Sequence, residues 1–87
     1  MRYSVRLSSR ADREIGRLAP GTRKRVVAKV AELGGDPRPD GARKLAGMRD
    51  AYRVRVGAYR IIYEVRNQEL LVLVIAVGHR ERIYESL

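Results

Sequence analysis

The segment AYRVRVGAYRIIYEVRNQELLVLVIAVGHRERIY, residues 51–84, decides the fold of this 87-residue chain. Apolar and polar residues alternate along 51–56 and again along 59–66, as they do in strands with one buried face. Gly57 and Ala58 separate the two runs, and glycine in the first position of a two-residue loop is typical of a type II′ hairpin turn. The sequence therefore predicts an antiparallel hairpin.

The register that follows from this turn sets arginines against one another. Counting outward from the turn, Arg55 lies opposite Arg60, and Arg53 lies two residues along on the same face, opposite Ile62. Like charges that face each other across a strand pair repel and destabilise a sheet. Such a face makes physical sense if an anion normally lies on it, and we expect that anion to be phosphate.

The composition favours a nucleic-acid partner. The net charge is +9 at pH 7, and 16 of the 19 basic residues are arginines. The planar guanidinium binds phosphate oxygens in pairs and stacks on bases. Solubility or a compositional bias of the source would also give a basic chain, but the charge here is concentrated on predicted strands and helices, which favours nucleic acid.

Several classes of protein and site are not expected. The chain has no cysteine and one histidine, which argues against disulfides, a thiolate metal site or a structural zinc. The N-terminus lacks the apolar run of a signal peptide, and the longest apolar run, residues 70–77, is too short for a membrane-spanning helix. We expect a cytoplasmic protein of one domain, residues 1–87, without metal or cofactor.

The N-terminal half predicts a strand and two helices. Residues 3–7 alternate as a strand, and Ser8 or Ser9 can cap the helix that follows. Residues 19–21 break that helix, Thr22 is the expected N-cap of the second helix, and Gly34-Gly35 ends it. The two helices can cover one face of a sheet.

The remaining segments complete an α+β fold. Residues 36–41 are a loop, and residues 42–50 form an irregular or edge segment anchored by Leu45 and Met48. Residues 70–77 are apolar on both faces, as in a central strand. The order is β-α-α-β-β-β, a small single domain with a helix hairpin packed on a mostly antiparallel sheet.

At three places the chain resembles the RelE/ParE superfamily of toxins from type II toxin–antitoxin systems, and the RelE branch in particular. The matching words are KLAGM (residues 44–48), AYRVRVGAYRIIYEV (residues 51–65) and VGHRERIY (residues 77–84). The order of predicted elements matches as well, so the similarity covers nearly the whole chain.

The resemblance implies a microbial-ribonuclease-like fold and an mRNA interferase. Such a toxin enters the ribosomal A site and cuts the bound mRNA, inhibiting translation. The 2′-OH of the substrate attacks the adjacent phosphate and leaves a 2′,3′-cyclic phosphate and a 5′-hydroxyl. The implied partners are the ribosome, mRNA and a RelB-like antitoxin that neutralises the toxin.

The resemblance also implies a set of catalytic residues. By position, the family's two basic residues on the first hairpin strand fall on Arg53 and Arg55, where the best-known members have lysines. The other implied site residues are Arg60, Arg80 and Tyr84. Arginine stays charged, so Arg53 and Arg55 cannot act as bases, although they can hold the phosphate and stabilise its developing charge.

The identity of the general base stays open. His79 is the one side chain that ordinarily titrates near neutral pH, and it precedes Arg80. Strand alternation could instead turn His79 away from that face, which would leave it a structural or RNA-stacking role. Glu81 is a weaker candidate for the base, and Tyr84 could stack, orient the RNA or donate a proton to the leaving oxygen.

Two other functions remain possible on the sequence alone. The first is a ParE-like toxin that inhibits DNA gyrase by binding and needs no nuclease residues. The second is a non-catalytic RNA-binding or antitoxin-partner module, which the missing lysines make credible. The arginine set with a C-terminal tyrosine argues against the ParE-like alternative.

Overall fold

The computed structural model describes residues 2–87, which form a five-stranded sheet, two helices and a C-terminal turn. None of the helices in that range is long and apolar enough to cross a bilayer. The expected α+β class is confirmed, and residues 42–50 contribute a two-residue edge strand. In chain order the elements are β1 (Ser4–Leu7), α1 (Ser9–Gly16), α2 (Pro20–Leu33), β2 (Arg43–Lys44), β3 (Ala51–Val56), β4 (Tyr59–Arg66), β5 (Leu71–His79) and a 3-10 turn (Ile83–Ser86).

The sheet is mostly antiparallel, as predicted. Its strand order is β1-β5-β4-β3-β2. Strand β1 pairs with β5 in parallel, and the other three pairs are antiparallel. Strand β5 therefore has a strand on each side and is a central strand, as predicted. Its helix-side residues are buried, whereas Leu71, Leu73 and Ile75 are only partly buried.

The hairpin of β3 and β4 has the register that the turn predicts. Arg55 pairs with Arg60, and Arg53 pairs with Ile62. Gly57 has φ 58°, in the left-handed region, whereas Ala58 does not have a positive φ. That combination fits a type II′ turn, in which only the first loop residue has a positive φ.

The first helix begins as predicted, and the second does not. Ser8 caps α1, its Oγ accepting a hydrogen bond of 3.0 Å from the backbone N–H of Ala11. The expectation that Thr22 caps the second helix is wrong, because α2 already begins at Pro20 after Ala19. Proline at the first helical position has no N–H to leave unsatisfied, so Pro20 can begin α2. Pro20 was expected to lie in the break after the first helix, but it is already the first residue of the second.

Both α-helices pack on one face of the sheet, and among residues 2–87 only the C-terminal 3-10 turn packs on the other face. The helix-side core contains apolar residues of α1, α2 and β3–β5, with Tyr63 fully buried in it. Tyr52 and Tyr59 pack against the same core. On the opposite face, Ile62 and Ala76 form a small second cluster with Ile83. We call this second surface the open face.

We expect Tyr63 to make the free energy of unfolding fall as the pH rises through the alkaline range. Its hydroxyl donates a 2.8 Å hydrogen bond to the carbonyl of Pro37, and burial raises the pKa of Tyr63 to about 12. Unfolded tyrosine releases its proton near pH 10, so stability is lost as the pH rises from about 10 toward 12. Between pH 9 and 11 this costs about 1 kcal/mol.

Urea unfolding of wild type and Tyr63→Phe at pH 7, 9 and 11 measures that dependence. At pH 7 the substitution should lower the free energy of unfolding by about 1 kcal/mol, because the Pro37 carbonyl loses its partner. The variant should then lose less stability than wild type between pH 9 and 11. Equal losses in the two proteins would contradict the assignment.

Candidate active site

Alternation along the hairpin directs its arginines to the open face. Val54 and Ile61 pair with each other and point into the helix-side core, so their neighbours point the other way. Arg55 and Arg60 therefore face each other on the open face, and Arg53 lies beside them. On β5, Gly78 pairs with Arg60 and has no side chain of its own on the open face.

Arg60 is held at the centre of this group. Its side chain is largely buried, with 9% of the residue exposed. Its Nη1 donates to the carbonyls of Gly57 (3.1 Å) and Tyr59 (3.0 Å), which fixes the guanidinium against the hairpin turn. The position follows from local sequence, because both carbonyls lie within three residues of Arg60.

The charges around Arg60 are mostly of the same sign. Burial lowers the pKa of the Arg60 guanidinium, and the positive charges of Arg55, Arg53 and Arg80 lower it further, while Tyr84 acts in the opposite sense. Among residues 2–87, none of these four arginines forms an ion pair with a carboxylate. We call Arg53, Arg55, Arg60 and Arg80 the arginine cluster. An anion bound there would relieve its repulsion.

The segment after β5 returns to the hairpin. The backbone N–H of Arg80 donates a 2.8 Å hydrogen bond to the carbonyl of Ala58, in the turn between β3 and β4. Ile83 then packs over Gly78, where an added Cβ would lie only 3.0 Å from the Ile83 Cδ1. Tyr84 follows with 47% of its surface exposed. The implied site residues Arg80 and Tyr84 are thus near Arg60.

A hydrogen-bond chain from α1 holds this C-terminal turn, and the sequence reasoning missed it. The Glu14 carboxylate accepts a 2.9 Å bond from the backbone N–H of Val77 and pairs with Arg10 at 3.3 Å. Arg10 in turn donates to the backbone carbonyl of Ser86 at 2.8 Å and to the Ser86 hydroxyl. A basic and an acidic residue four positions apart on a helix would indicate only a surface ion pair.

His79 lies on the other side of the sheet from the arginine cluster. It pairs with Tyr59, and the two rings meet edge to face with centroids 5.6 Å apart. Its Nδ1 accepts a hydrogen bond of 3.3 Å from the backbone N–H of Glu81. In the neutral ring the proton then sits on Nε2, which leaves no free nitrogen to act as a base. This geometry favours the structural role for His79.

The arrangement can bind an anion without a metal. The part of the chain from residue 2 to 87 contains no group of three histidine or carboxylate side chains that could hold a metal ion. The open face offers guanidinium donors on neighbouring strands, which suit a phosphate whose charge is spread over several oxygens. It can therefore bind a phosphodiester and stabilise extra negative charge on it.

The sequence is similar to those of known toxins. A family profile described as the ParE toxin of type II toxin–antitoxin systems matches residues 5–84. The mRNA interferase toxin RelE of Escherichia coli K12 is 36% identical over 84 residues, covering 94% of this chain and 87% of that protein.

Solved structures agree with these sequence matches. A double arginine-to-alanine mutant of E. coli RelE in the free state superposes with a TM-score of 0.81 at 31% identity, covering 97% of this chain and 90% of that one. The RelE–RelB complex of Pyrococcus horikoshii gives a TM-score of 0.82 at 26% identity, covering 94% and 99%. The chain belongs to the RelE/ParE superfamily of toxins of type II toxin–antitoxin systems.

Proposed function

We propose that this protein is an mRNA interferase of the RelE type, which cuts mRNA in the ribosomal A site. The observation that carries the proposal is the arginine cluster, three guanidiniums on the open face and that of Arg80 just beyond β5, with no carboxylate partner among residues 2–87. A binding surface for a macromolecular anion accounts for such an arrangement, and the similarity to E. coli RelE supports mRNA as that anion.

In the proposed reaction the substrate supplies its own nucleophile. The 2′-oxygen bonds to the adjacent phosphorus as the bond from phosphorus to the 5′-oxygen breaks, giving a 2′,3′-cyclic phosphate and a 5′-hydroxyl. The 2′-OH loses one proton, and the leaving 5′-oxygen gains one. Arg60, fixed by the turn carbonyls, binds a non-bridging phosphate oxygen and stabilises the charge that grows on it.

The other site residues have supporting roles in this proposal. Arg53 and Arg55 bind the phosphate from the β3 side, and Arg80 binds it from the segment beyond β5. Tyr84, exposed beside Arg60, stacks on or orients the nucleotide or donates the proton to the 5′-oxygen. With His79 on the opposite side, the proton of the 2′-OH passes to Glu81, to water or to a group of the ribosome.

Primer extension on an mRNA translated in a purified cell-free system tests the proposal. Cuts should appear within A-site codons of the translated message, and an identical untranslated message should stay intact. A message left intact under translation would overturn the proposal.

A neutralising partner belongs to the same proposal. The complex of RelE with RelB from P. horikoshii supports an antitoxin of the RelB type for this chain. A net charge of +9 favours an acidic or amphipathic segment that folds onto the toxin. We propose that it covers the helices and a sheet edge and masks or displaces residues 80–84.

A second candidate function is inhibition of DNA gyrase. The observation that favours it is the family profile, whose description names the ParE toxin. Gyrase-dependent DNA breaks in the presence of the protein, together with an intact translated message, would support this function and exclude the interferase.

We expect His79 to be dispensable for cleavage. His79→Gln should keep the cleavage rate within about threefold of wild type from pH 6 to 8, whereas loss of a general base costs about 100-fold or more. His79→Ala should lower stability by about 1 kcal/mol, because the contact with the Tyr59 ring is lost. A large rate loss in His79→Gln, with one limb of the pH profile removed, would restore His79 as the base.

A further inference from the structure

A concave surface of about 310 Å³ lies at the outer edge of β3, beside the arginine cluster. Two of its cationic side chains, Arg53 and Arg55, belong to the cluster itself. The other two, Lys29 of α2 and Arg43 of β2, come from elements that the proposed reaction does not use. Asp40, an acidic residue, also lines this surface. We call it the edge subsite.

The edge subsite exists because β2 is short. Strand β2 pairs only with Tyr52 and Arg53, so the outer edge of β3 has no strand neighbour from residue 54 to 56. Helix α2 runs beside this open edge and brings Lys29 to it. One turn earlier on the same helix, the Arg25 guanidinium approaches the hairpin turn, 3.8 Å from where a Cβ on Gly57 would lie. Basic side chains therefore follow the edge.

The cations of the edge subsite are largely free to bind an anion. Arg43 pairs with Arg53 across the strands, so a second pair of like charges faces the same way. Neither arginine has a carboxylate partner among residues 2–87. Lys29 has one, Glu32 at 3.7 Å, whose side chain is 67% exposed. Exposed pairs of this kind are weak and exchange readily.

We propose that Lys29 and Arg43 of the edge subsite bind the RNA phosphate that neighbours the scissile phosphate, while Arg53 and Arg55 stay on the scissile phosphate; this rests on the proposed function of the arginine cluster. The pairs Arg55–Arg60 and Arg53–Arg43 lie two residues apart along β3, about 7 Å. One nucleotide of single-stranded backbone can span such a distance. A positively charged groove that tracks the backbone is how proteins hold single strands without reading their sequence.

Asp40 allows a test in which a substitution in the edge subsite should raise the affinity for RNA instead of lowering it. Its carboxylate repels a bound phosphate, so Asp40→Asn should strengthen RNA binding, while Lys29→Ala and Arg43→Ala should weaken it. Arg49→Ala is the matched control, because it removes the same charge from a side chain that is 96% exposed and lies outside the edge subsite.

Fluorescence anisotropy with a labelled hexauridylate RNA measures the effect, at salt concentrations from 50 to 300 mM. At the lowest salt, we expect Lys29→Ala and Arg43→Ala each to weaken binding about threefold to tenfold. Each substitution should also reduce the slope of the logarithm of the RNA association constant against the logarithm of the salt concentration. The expected reduction is about 0.7, the value for one lost phosphate contact on a single strand. Asp40→Asn should bind more tightly than wild type.

These outcomes separate a local contact from a general effect of charge. If Arg49→Ala reduces affinity and slope as much as Arg43→Ala does, or if wild type does not bind the hexamer at 50 mM salt, the edge subsite is overturned. The measurement contains no ribosome and no cleavage. A protein that binds as expected but never cuts a translated message would overturn the proposed function and leave the edge subsite in place.

Discussion

Arg60→Ala should reduce cleavage of a translated message by about 100-fold or more. Arg60 is the cluster arginine that is largely buried and fixed to two turn carbonyls. A donor that is held in place before the reaction stabilises transition-state charge without reorganising, and loss of one such donor costs about 3–4 kcal/mol. Single-turnover cleavage on programmed ribosomes gives the rate directly.

Arg60→Lys and Arg49→Ala make this prediction specific. Lysine keeps the charge but not the planar fork, so Arg60→Lys should retain more activity than alanine and still fall about tenfold below wild type. Arg49→Ala should cleave within about twofold of wild type. Circular dichroism and antitoxin binding check that each variant is folded. A folded Arg60→Ala protein that cuts at more than a third of the wild-type rate would show that Arg60 is not the central phosphate ligand.

Arg55→Gln should change activity and stability in opposite directions. Arg55 faces Arg60 across the hairpin and has no carboxylate partner among residues 2–87. Removal of one charge relieves about 0.5 kcal/mol of repulsion, which raises Tm by about 3 °C. Cleavage should fall about tenfold or more, because a charged hydrogen bond to the phosphate is lost.

Arg66→Gln is the matched control for Arg55→Gln. Arg66 lies on the same hairpin but pairs with Glu64 at 3.0 Å and Glu69 at 3.8 Å. Its removal should leave Tm unchanged or lower it and should leave cleavage within about twofold. If Arg55→Gln lowers Tm as Arg66→Gln does, repulsion within the arginine cluster does not destabilise the folded protein. Thermal unfolding of wild type and of the two variants at low and high salt measures these changes in Tm. Salt screens the repulsion in wild type, so the gain in Arg55→Gln should shrink at high salt.

The hairpin could be predicted from sequence because its register is local. A two-residue turn fixes every pair along β3 and β4, so Arg55 opposite Arg60 followed from counting. The capping of α1 by Ser8 was local in the same way. The predicted start of α2 was wrong because a proline such as Pro20 can either break a helix or begin one. Only the path of the preceding chain decides between the two.

The parts of the site that depend on long-range packing could not be predicted. Arg10 and Ser86 are 76 residues apart, and only the folded chain brings helix α1 to the C-terminal turn. Strand alternation left the direction of His79 open, and the pairing with Tyr59 decides it. The edge subsite needs Lys29 of α2 to meet Arg43 of β2, two elements joined by a loop that carries no periodic signal.

The most direct test of the central claim uses a message with one modified ribose. Purified ribosomes are programmed with two mRNAs that differ only in the A-site codon, where one carries a 2′-deoxyribose on the 5′ side of the scissile phosphate. If the arginine cluster catalyses attack by the 2′-OH, the all-ribose message is cut to a 2′,3′-cyclic phosphate and the deoxy message stays intact. Cleavage of both messages, or of neither, would contradict the claim.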